Sequence, residues 1–275
     1  MYNSLLKLVF VAYLYVYSTE AKRCYGSANY TLTRRGTWTL ERHPNSPLLR
    51  GFSPTVGCSH NYRYVMWRQG IKATTGVKDL SEMGDITALN AEMDIQIALK
   101  KAFKRYSGTI MAGGTSNDTI LNIKVNSQYP LVSFIAMLAP SPDWFHGVHD
   151  LNLCNTWTGK WRNRVVRKLF PYDAGTDSGV NFTSPNDVTN PPVNIRRITH
   201  DIEDLGKKEK KDTPSEMPVE GSPREVPVEE AALEKTLENT QDTSTCPQIP
   251  ILTANPDFNI TLALMLCILN IIGYL

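Results

Sequence analysis

The sequence predicts a mainly β fold: an antiparallel sandwich of two sheets with a helical region at its side and a polar stalk behind it. Residues 24–40 alternate polar and β-favouring side chains before and after a break at Gly36, and residues 120–126 alternate in the same way. Residues 131–139 form a more continuous apolar run, which is typical of a central strand in a two-layer sandwich. A helical period is confined to residues 76–106.

The N-terminal residues 1–21 are predicted to be a secretory signal peptide. A basic residue precedes an apolar run at residues 8–17, and the small residues Thr19 and Ala21 follow it. The run is too short for a membrane span, and small residues at this distance suit signal peptidase. Cleavage after Ser18 is the alternative to cleavage after Ala21. We therefore expect an exported chain whose cysteines meet an oxidising compartment.

Residues 76–106 predict a short helix and then a longer amphipathic helix, interrupted at Gly84. Apolar side chains recur at helical spacing through this range, and Asp85 is placed to cap the second helix. Basic side chains near its end would complement the helix dipole, so we expect the helix to include them. They are Lys100, Lys101, Lys104 and Arg105.

The remaining segments complete a predicted domain over residues 22–200. Residues 42–57 are rich in Pro, Ser and Gly and predict a loop. Residues 155–168 are polar and basic and contain tryptophan, which predicts either a short helix or an edge segment. Residues 195–199 predict the last strand of the domain.

Charge is divided unequally along the chain. Residues 22–200 hold 22 Lys and Arg against 12 Asp and Glu, a net of +10, whereas residues 201–246 hold 6 against 13, a net of −7. A basic extracellular surface attracts sulfated glycans, anionic lipids or acidic proteins, and an exported protein does not meet nucleic acid. A solvated surface with scattered charge is the alternative interpretation.

Residues 201–254 predict an acidic, disordered stalk, because they are rich in Glu, Lys, Pro, Ser and Thr and nearly lack aromatic side chains. A transient helix at residues 231–238 is the most structure expected there. Residues 255–275 are apolar, and no basic segment follows them. We interpret them as a glycosylphosphatidylinositol (GPI) anchor signal with attachment near Ser244, and a single membrane span is the alternative.

Three aspartates lie in turn-forming sequence between residues 138 and 179. Asp143 follows a proline, and Asp173 and Asp177 stand on either side of Gly175. Carboxylates in Gly- and Pro-rich loops, without Cys or His at zinc spacing, favour a hard cation such as Ca²⁺. Hydrogen bonds to the backbone of their own turns are the alternative role for these side chains.

Two strings in this region resemble the spondin domain, the module found in F-spondin and mindin. They are P-S-P-D-W-F-H-G at residues 140–147 and F-P-Y-D-A-G-T-D-S-G at residues 170–179. The resemblance covers about residues 24–200 and implies a sandwich similar to a C2 domain. It also implies that the aspartates of the two strings bind Ca²⁺: Asp143, Asp173 and Asp177.

The resemblance further implies a disulfide between Cys24 and Cys154. Cys58 would then be the odd cysteine of the domain, either buried and free or available to a partner. N-glycosylation sequons with the required Thr two residues later permit glycans at three positions of the domain. These are Asn29, Asn117 and Asn181.

Spondins are extracellular adhesion proteins without known catalysis, so the resemblance implies a non-enzymatic, calcium-binding module in the matrix or at the cell surface. Its expected partner is an integrin-like cell-surface receptor or an extracellular glycan. Calcium-dependent binding to anionic lipid or to a microbial surface is the alternative. A metal-dependent hydrolase would use His146 or His149 with Asp143, or the pair Asp173 and Asp177 as general acid and base, but no serine or cysteine stands in a nucleophile motif.

Overall fold

A computed structural model of the chain describes residues 21–198 and 229–236. Almost all of the predicted signal peptide, the predicted C-terminal segment 255–275 and most of the predicted stalk lie outside these residues. Neither helix in the described part of the chain is long and apolar enough to cross a membrane.

The described residues form fourteen strands and two helices. The strands are β1 Ser27–Gly36, β2 Gly51–Phe52, β3 Val56–His60, β4 Ala102–Ser107, β5 Met111–Ala112, β6 Asn117–Asn126, β7 Leu131–Ala139, β8 Trp144–Asn152, β9 Cys154–Asn155, β10 Lys160–Trp161, β11 Arg164–Leu169, β12 Pro171–Asp173, β13 Arg196–Arg197 and β14 Glu229–Lys235. The helices are α1 Thr75–Met83 and α2 Thr87–Ala98.

Most of these strands form two antiparallel sheets, so the predicted sandwich is confirmed. The smaller sheet has the order β11-β14-β1-β6. The larger sheet has the order β13-β12-β8-β7, and β7 then pairs with β2 near one end and with β3 along the rest of its length. The outer strands β5 and β4 pair with β2 and β3 respectively. Strands β9 and β10 form a separate hairpin.

The core between the sheets is built from alternating side chains of both. Tyr30 and Leu32 of β1 belong to the same buried cluster as Val132 and Phe134 of β7. A second cluster packs the apolar sides of α1 and α2 against the opposite face of the larger sheet. Strand β7 is therefore covered on both faces, which explains its continuous apolar sequence.

The helical region follows the prediction at its start and departs from it at its end. Gly84 adopts a left-handed conformation after α1, where the break was predicted. The N-cap of α2 is Ile86, however, so the prediction that Asp85 caps this helix was wrong; Asp85 precedes the cap, and its Oδ1 accepts a hydrogen bond from the backbone N–H of Thr87 at 2.8 Å. Helix α2 ends at Ala98, however, and the next residues turn through Lys100, which has a φ of 54°. Strand β4 follows because pairing with β3 satisfies its backbone, so the predicted continuation of the helix was wrong.

The loops also contain short strands. Strands β2 and β3 lie at the end of the loop predicted over residues 42–57. Within residues 155–168 the structure has the start of β11, which forms an edge of the smaller sheet and resolves the two alternatives in favour of an edge segment. The strand predicted over residues 195–199 is reduced to the two residues of β13.

Strand β14 is the largest correction to the sequence prediction, because it lies within the predicted stalk. It pairs antiparallel with β1 on one side and with β11 on the other, so it fills the middle of the smaller sheet. Ala231 and Leu233 are fully buried in the core between the sheets. For these residues the prediction of a stalk or a transient helix was wrong, since burial and sheet pairing outweigh the low strand propensity of Glu and Ala.

Candidate functional site

The topology brings the three predicted aspartates to one end of the larger sheet. Asp143 lies in the loop between β7 and β8, directly before Trp144. Asp173 ends β12 and stands opposite Trp144 in the antiparallel pairing of β12 with β8. Asp177 lies in the loop that follows β12. We call these residues, Asp143, Asp173 and Asp177, the aspartate cluster.

Asp143 is the central and fully buried member of the aspartate cluster. Its Oδ2 accepts hydrogen bonds from the backbone N–H groups of Thr176 at 2.8 Å and Asp177 at 3.1 Å, and from the Thr176 hydroxyl at 3.3 Å. Its backbone carbonyl accepts the N–H of Ala174 at 3.1 Å. Its other carboxylate oxygen, Oδ1, is buried and has no hydrogen-bond partner within the described residues.

The other two aspartates hold the loop that surrounds Asp143. Asp173 Oδ1 accepts the N–H of Gly175 at 2.8 Å, while its Oδ2 is paired with the Arg196 guanidinium at 2.8 Å. Asp177 accepts the backbone N–H groups of Gly179 at 2.6 Å and Asp187 at 3.1 Å. The turn-stabilising role suggested as the alternative is therefore present, and it leaves Asp143 Oδ1 unused.

Gly175 is required by the shape of this loop. Its φ of +76° lies in the left-handed region, and a Cβ at this position would meet the backbone carbonyl of Val193. A glycine therefore lets the chain between Asp173 and Asp177 pass close to a second segment of the loop region.

Burial is the main reason why an ionised Asp143 is disfavoured. Burial, with a further contribution from the Asp173 carboxylate and a smaller one from Asp177, raises the pKa of Asp143 to about 7, although the N–H groups of Thr176 and Asp177 act in the opposite direction. A carboxylate in this environment is stabilised either by a proton or by a cation.

The oxygen atoms around Asp143 are of the kind that a hard cation prefers, although the side chains are not already arranged as a complete metal site. The candidate donors are carboxylate and backbone oxygens, which Ca²⁺ prefers. Across residues 21–198 and 229–236, no group of three or more His, Cys, Asp or Glu side chains is arranged to hold a metal ion. Arg196 occupies one carboxylate oxygen of Asp173. A cation at this end would therefore depend on Asp143 Oδ1 and on backbone carbonyls of the loops.

The two histidines considered for hydrolysis are directed to other acidic groups. His146 Nε2 lies 2.7 Å from Glu229 Oε2, and His149 Nδ1 lies 3.1 Å from Asp150 Oδ2. The hydrogen bonds that Asp143 accepts through its side chain come from Thr176 and Asp177 instead. The structure thus does not pair either histidine with Asp143 as an acid–base couple.

A second buried group of charged side chains lies between the two sheets, and sequence reasoning missed it. Arg34 of β1, His146 of β8 and Glu229 of β14 are all fully buried, and we call them the Glu229 cluster. Arg34 Nε lies 2.6 Å from Glu229 Oε1, and Arg34 Nη2 lies 3.3 Å from Glu229 Oε2. His146 approaches the same carboxylate from the other sheet. Glu229 therefore connects the two layers of the sandwich.

Opposite charges decide the ionisation of Glu229. Burial alone would raise its pKa, but His146 and Arg34 together outweigh burial and hold the pKa of Glu229 below its usual value. Arg34 and Glu229 are 195 residues apart in the sequence. No local pattern could have revealed the pair, because its only sequence signal is the presence of the two residue types.

The cysteines follow the expected pairing. Cys24 and Cys154 form a disulfide, which joins the segment before β1 to β9. Cys58 of β3 is free and fully buried in the core beneath the helices, and burial raises the pKa of its thiol. The structure therefore favours the first of the two alternatives for Cys58, a buried thiol rather than a contact for a partner.

The three sequons of the domain differ in accessibility. Asn117 and Asn181 are exposed at the start of β6 and in the loop after Asp177, where a glycan would meet solvent. Asn29 is half-buried on β1, and its side-chain amide donates to Asn122 Oδ1 at 3.1 Å. Use of each sequon stays a prediction, with Asn117 and Asn181 the more accessible.

The Spondin_N family model matches residues 28–208, well over half of the chain. The chain is 37% identical to Spondin-2 from Homo sapiens over 177 residues, which are 62% of this chain and 53% of that protein. Identity to Spondin-2 from Rattus norvegicus is 36% with the same coverage. Identity to Spondin-1 from Rattus norvegicus is 35% over 183 residues, 63% of this chain and 22% of that protein.

The chain thus spans about half the length of the Spondin-2 proteins and less than a quarter of Spondin-1. The matched segment includes the aspartate cluster and ends before β14. On the family match together with these identities, the chain belongs to the spondin family.

Proposed function

We propose that this chain is an extracellular adhesion and recognition module that binds Ca²⁺ at the aspartate cluster and engages a cell-surface receptor or an extracellular glycan. Membership in a family of extracellular adhesion-type proteins supports the functional class. The observation that carries the calcium site is the buried Asp143 Oδ1, which has no hydrogen-bond partner in the described part of the chain.

Each residue of the cluster has a separate task in this proposal. Asp143 Oδ1 would contribute a ligand, while its Oδ2 keeps the loop 174–177 in position. Arg196 already offsets one of the three carboxylates, so Asp143 and Asp177 are the ones left for a cation to neutralise. Bound Ca²⁺ commonly accepts water or an oxygen from another molecule in its remaining coordination positions, which would supply a contact for a carboxylate or hydroxyl of the partner.

The proposed calcium site is tested by thermal unfolding with and without Ca²⁺. A ligand that binds the folded protein alone raises the melting temperature, so we expect wild-type protein to melt higher in Ca²⁺ than in chelator. Asp143→Asn should remove this shift. Asp187→Asn changes an exposed aspartate in the neighbouring loop and should retain it. Equal melting temperatures of wild-type protein in Ca²⁺ and in chelator would contradict the site.

We further propose that the module is held at the cell surface, either by a GPI lipid attached near Ser244 in exchange for the apolar tail that includes residues 255–275, or by this tail as a single membrane span. These residues lie outside the described part of the chain. Phosphatidylinositol-specific phospholipase C should release the protein from expressing cells if the anchor is GPI, with a known GPI-anchored protein as the positive control. Full retention after treatment would instead support a single membrane span.

A further inference from the structure

Four exposed aliphatic side chains lie at the same end of the sandwich as the aspartate cluster. Leu48 and Leu49 are 83% and 90% exposed, and Val188 and Val193 are 59% and 51% exposed. Single exposed apolar residues are ordinary on a protein surface, whereas a group at one end indicates an interaction site.

The pairing of β2 fixes the position of the two leucines. Leu49 stands two residues before Gly51, which pairs with Ala139, the last residue of β7. The chain leaves β7 at the same end to reach Asp143. Because β2 and β8 are both neighbours of β7, their ends are about 10 Å apart, twice the usual strand spacing. The leucines and the aspartate cluster therefore project from one end of the larger sheet.

The two valines lie on the other side of the aspartate cluster. Val188 forms an isolated β-bridge with Asp177, and the N–H of Val193 donates to the carbonyl of Gly175 at 2.8 Å. Exposed aliphatic groups thus occur on both sides of the three carboxylates.

The leucine loop is held to the sandwich. The Arg50 guanidinium donates to the carbonyls of Pro47 and Trp38, each at 3.0 Å. These bonds fix the residues on both sides of Leu48 and Leu49 to each other and to the segment after β1. Trp38 packs on Phe182 with ring centroids 5.3 Å apart, and Phe182 packs on Trp144 at 5.1 Å. This aromatic series connects the leucine loop to the loop that contains Asp177, so the docking end is preorganised.

We infer that this end of the sandwich docks on a lipid bilayer that exposes anionic phospholipid, with Leu48 and Leu49 entering the acyl region. Leucines at a loop end suit an apolar layer, and the net charge of +10 over residues 22–200 complements anionic headgroups. The inference rests on the proposed function in one respect: the three carboxylates would repel such headgroups unless bound Ca²⁺ offsets them.

Co-sedimentation with vesicles tests the docking surface. The chain from the predicted signal-peptide cleavage site to the predicted anchor site, residues 22–245, is mixed with phosphatidylcholine vesicles that do or do not contain phosphatidylserine, in Ca²⁺ throughout. We expect wild-type protein to bind the phosphatidylserine vesicles and Leu48→Ser/Leu49→Ser to bind them on the order of tenfold or more weakly, because two leucine side chains no longer leave water. The control is Leu121→Ser on β6 of the smaller sheet, also an exposed leucine, which should bind like wild type.

Each outcome separates the docking surface from the calcium site. Equal vesicle binding by wild type and the double-serine variant would overturn the docking surface. A wild-type protein that shows the calcium-dependent melting shift but binds no vesicles would do the same and leave the calcium site intact. Leucine-dependent vesicle binding without any melting shift would support the docking surface and contradict the calcium site. Leucine-dependent capture of a soluble protein, with no vesicle binding, would assign the surface to a protein partner and overturn the inference.

Discussion

The aspartate cluster and the Glu229 cluster are both buried groups of charged side chains, but their charges are combined differently. In the aspartate cluster, burial and neighbouring carboxylates raise the pKa of Asp143 to about 7. In the Glu229 cluster, His146 and Arg34 hold the pKa of Glu229 below its usual value despite burial. A group of like charges retains an unmet requirement for a cation, whereas in a group of opposite charges the acidic and basic side chains offset each other. The first is thus suited to binding and the second to joining the two sheets.

The sharpest test of this contrast is to neutralise the acidic residue of the Glu229 cluster. Glu229→Gln leaves the buried Arg34 guanidinium without its counter-charge, and removal of one partner of a buried ion pair costs about 3–5 kcal/mol. We expect the free energy of unfolding, measured by urea denaturation, to fall by that amount. Glu230→Gln, on the exposed side of the same strand, should change it by less than about 0.5 kcal/mol.

A double variant separates loss of charge balance from loss of packing. Replacing both partners by apolar side chains, Arg34→Met with Glu229→Leu, removes the unpaired charge and should recover much of the lost stability. If Glu229→Gln alone unfolds at the same urea concentration as wild type, the cluster does not join the sheets as described.

The matching substitution in the aspartate cluster should act in the opposite direction. Asp143→Asn removes a buried charge that lacks a counter-ion in calcium-free buffer, so the free energy of unfolding at pH 8 should rise by about 1 kcal/mol or more. Urea denaturation in chelator measures this change. A loss of stability as large as that of Glu229→Gln would show that Asp143 acts as a structural acceptor and would remove the contrast.

The smallest expected effects are in the pH dependence, and their signs differ. The folded-state pKa of Asp143 lies above its usual value of 3.8, so its stabilising contribution is complete below pH 3.8 and is lost as the pH rises through about 7. The pKa of Glu229 lies below its usual value of 4.5, so its contribution is present above pH 4.5 and is lost as the pH falls through the folded-state pKa.

Unfolding in calcium-free buffer across this pH range measures both effects. The stability of wild type relative to Asp143→Asn should decrease as the pH rises from 3.8 to about 7, the interval between the usual and the folded-state pKa of Asp143, and should change little at higher pH. The stability of wild type relative to Glu229→Gln should decrease below pH 4.5. Parallel pH profiles for wild type and both variants would contradict the assigned pKa directions.

Sequence patterns succeeded where neighbouring residues carry the signal. The continuous apolar run of β7 and the break between the helices at Gly84 were predicted correctly. The end of the second helix was not, because the basic side chains that suited a helix terminus also suit the exposed edge strand β4. Where a segment is compatible with both helix and strand, the neighbouring chain decides which one forms. Here β3 offers backbone hydrogen-bond partners, so the segment becomes strand β4.

The sequence by itself indicated the three aspartates and the turns around Asp173 and Asp177, whose carboxylates accept N–H groups of their own turns. The pairing of β12 with β8 then brings Asp143 to the N–H groups of Thr176 and Asp177. The sequence also determined which strands are apolar enough to form the core. Only the tertiary structure decided that β14 is a strand. Its residues favour a helix or no structure, but β1 and β11 supply the backbone hydrogen-bond partners, and Arg34 and His146 supply the charge that allows Glu229 to be buried.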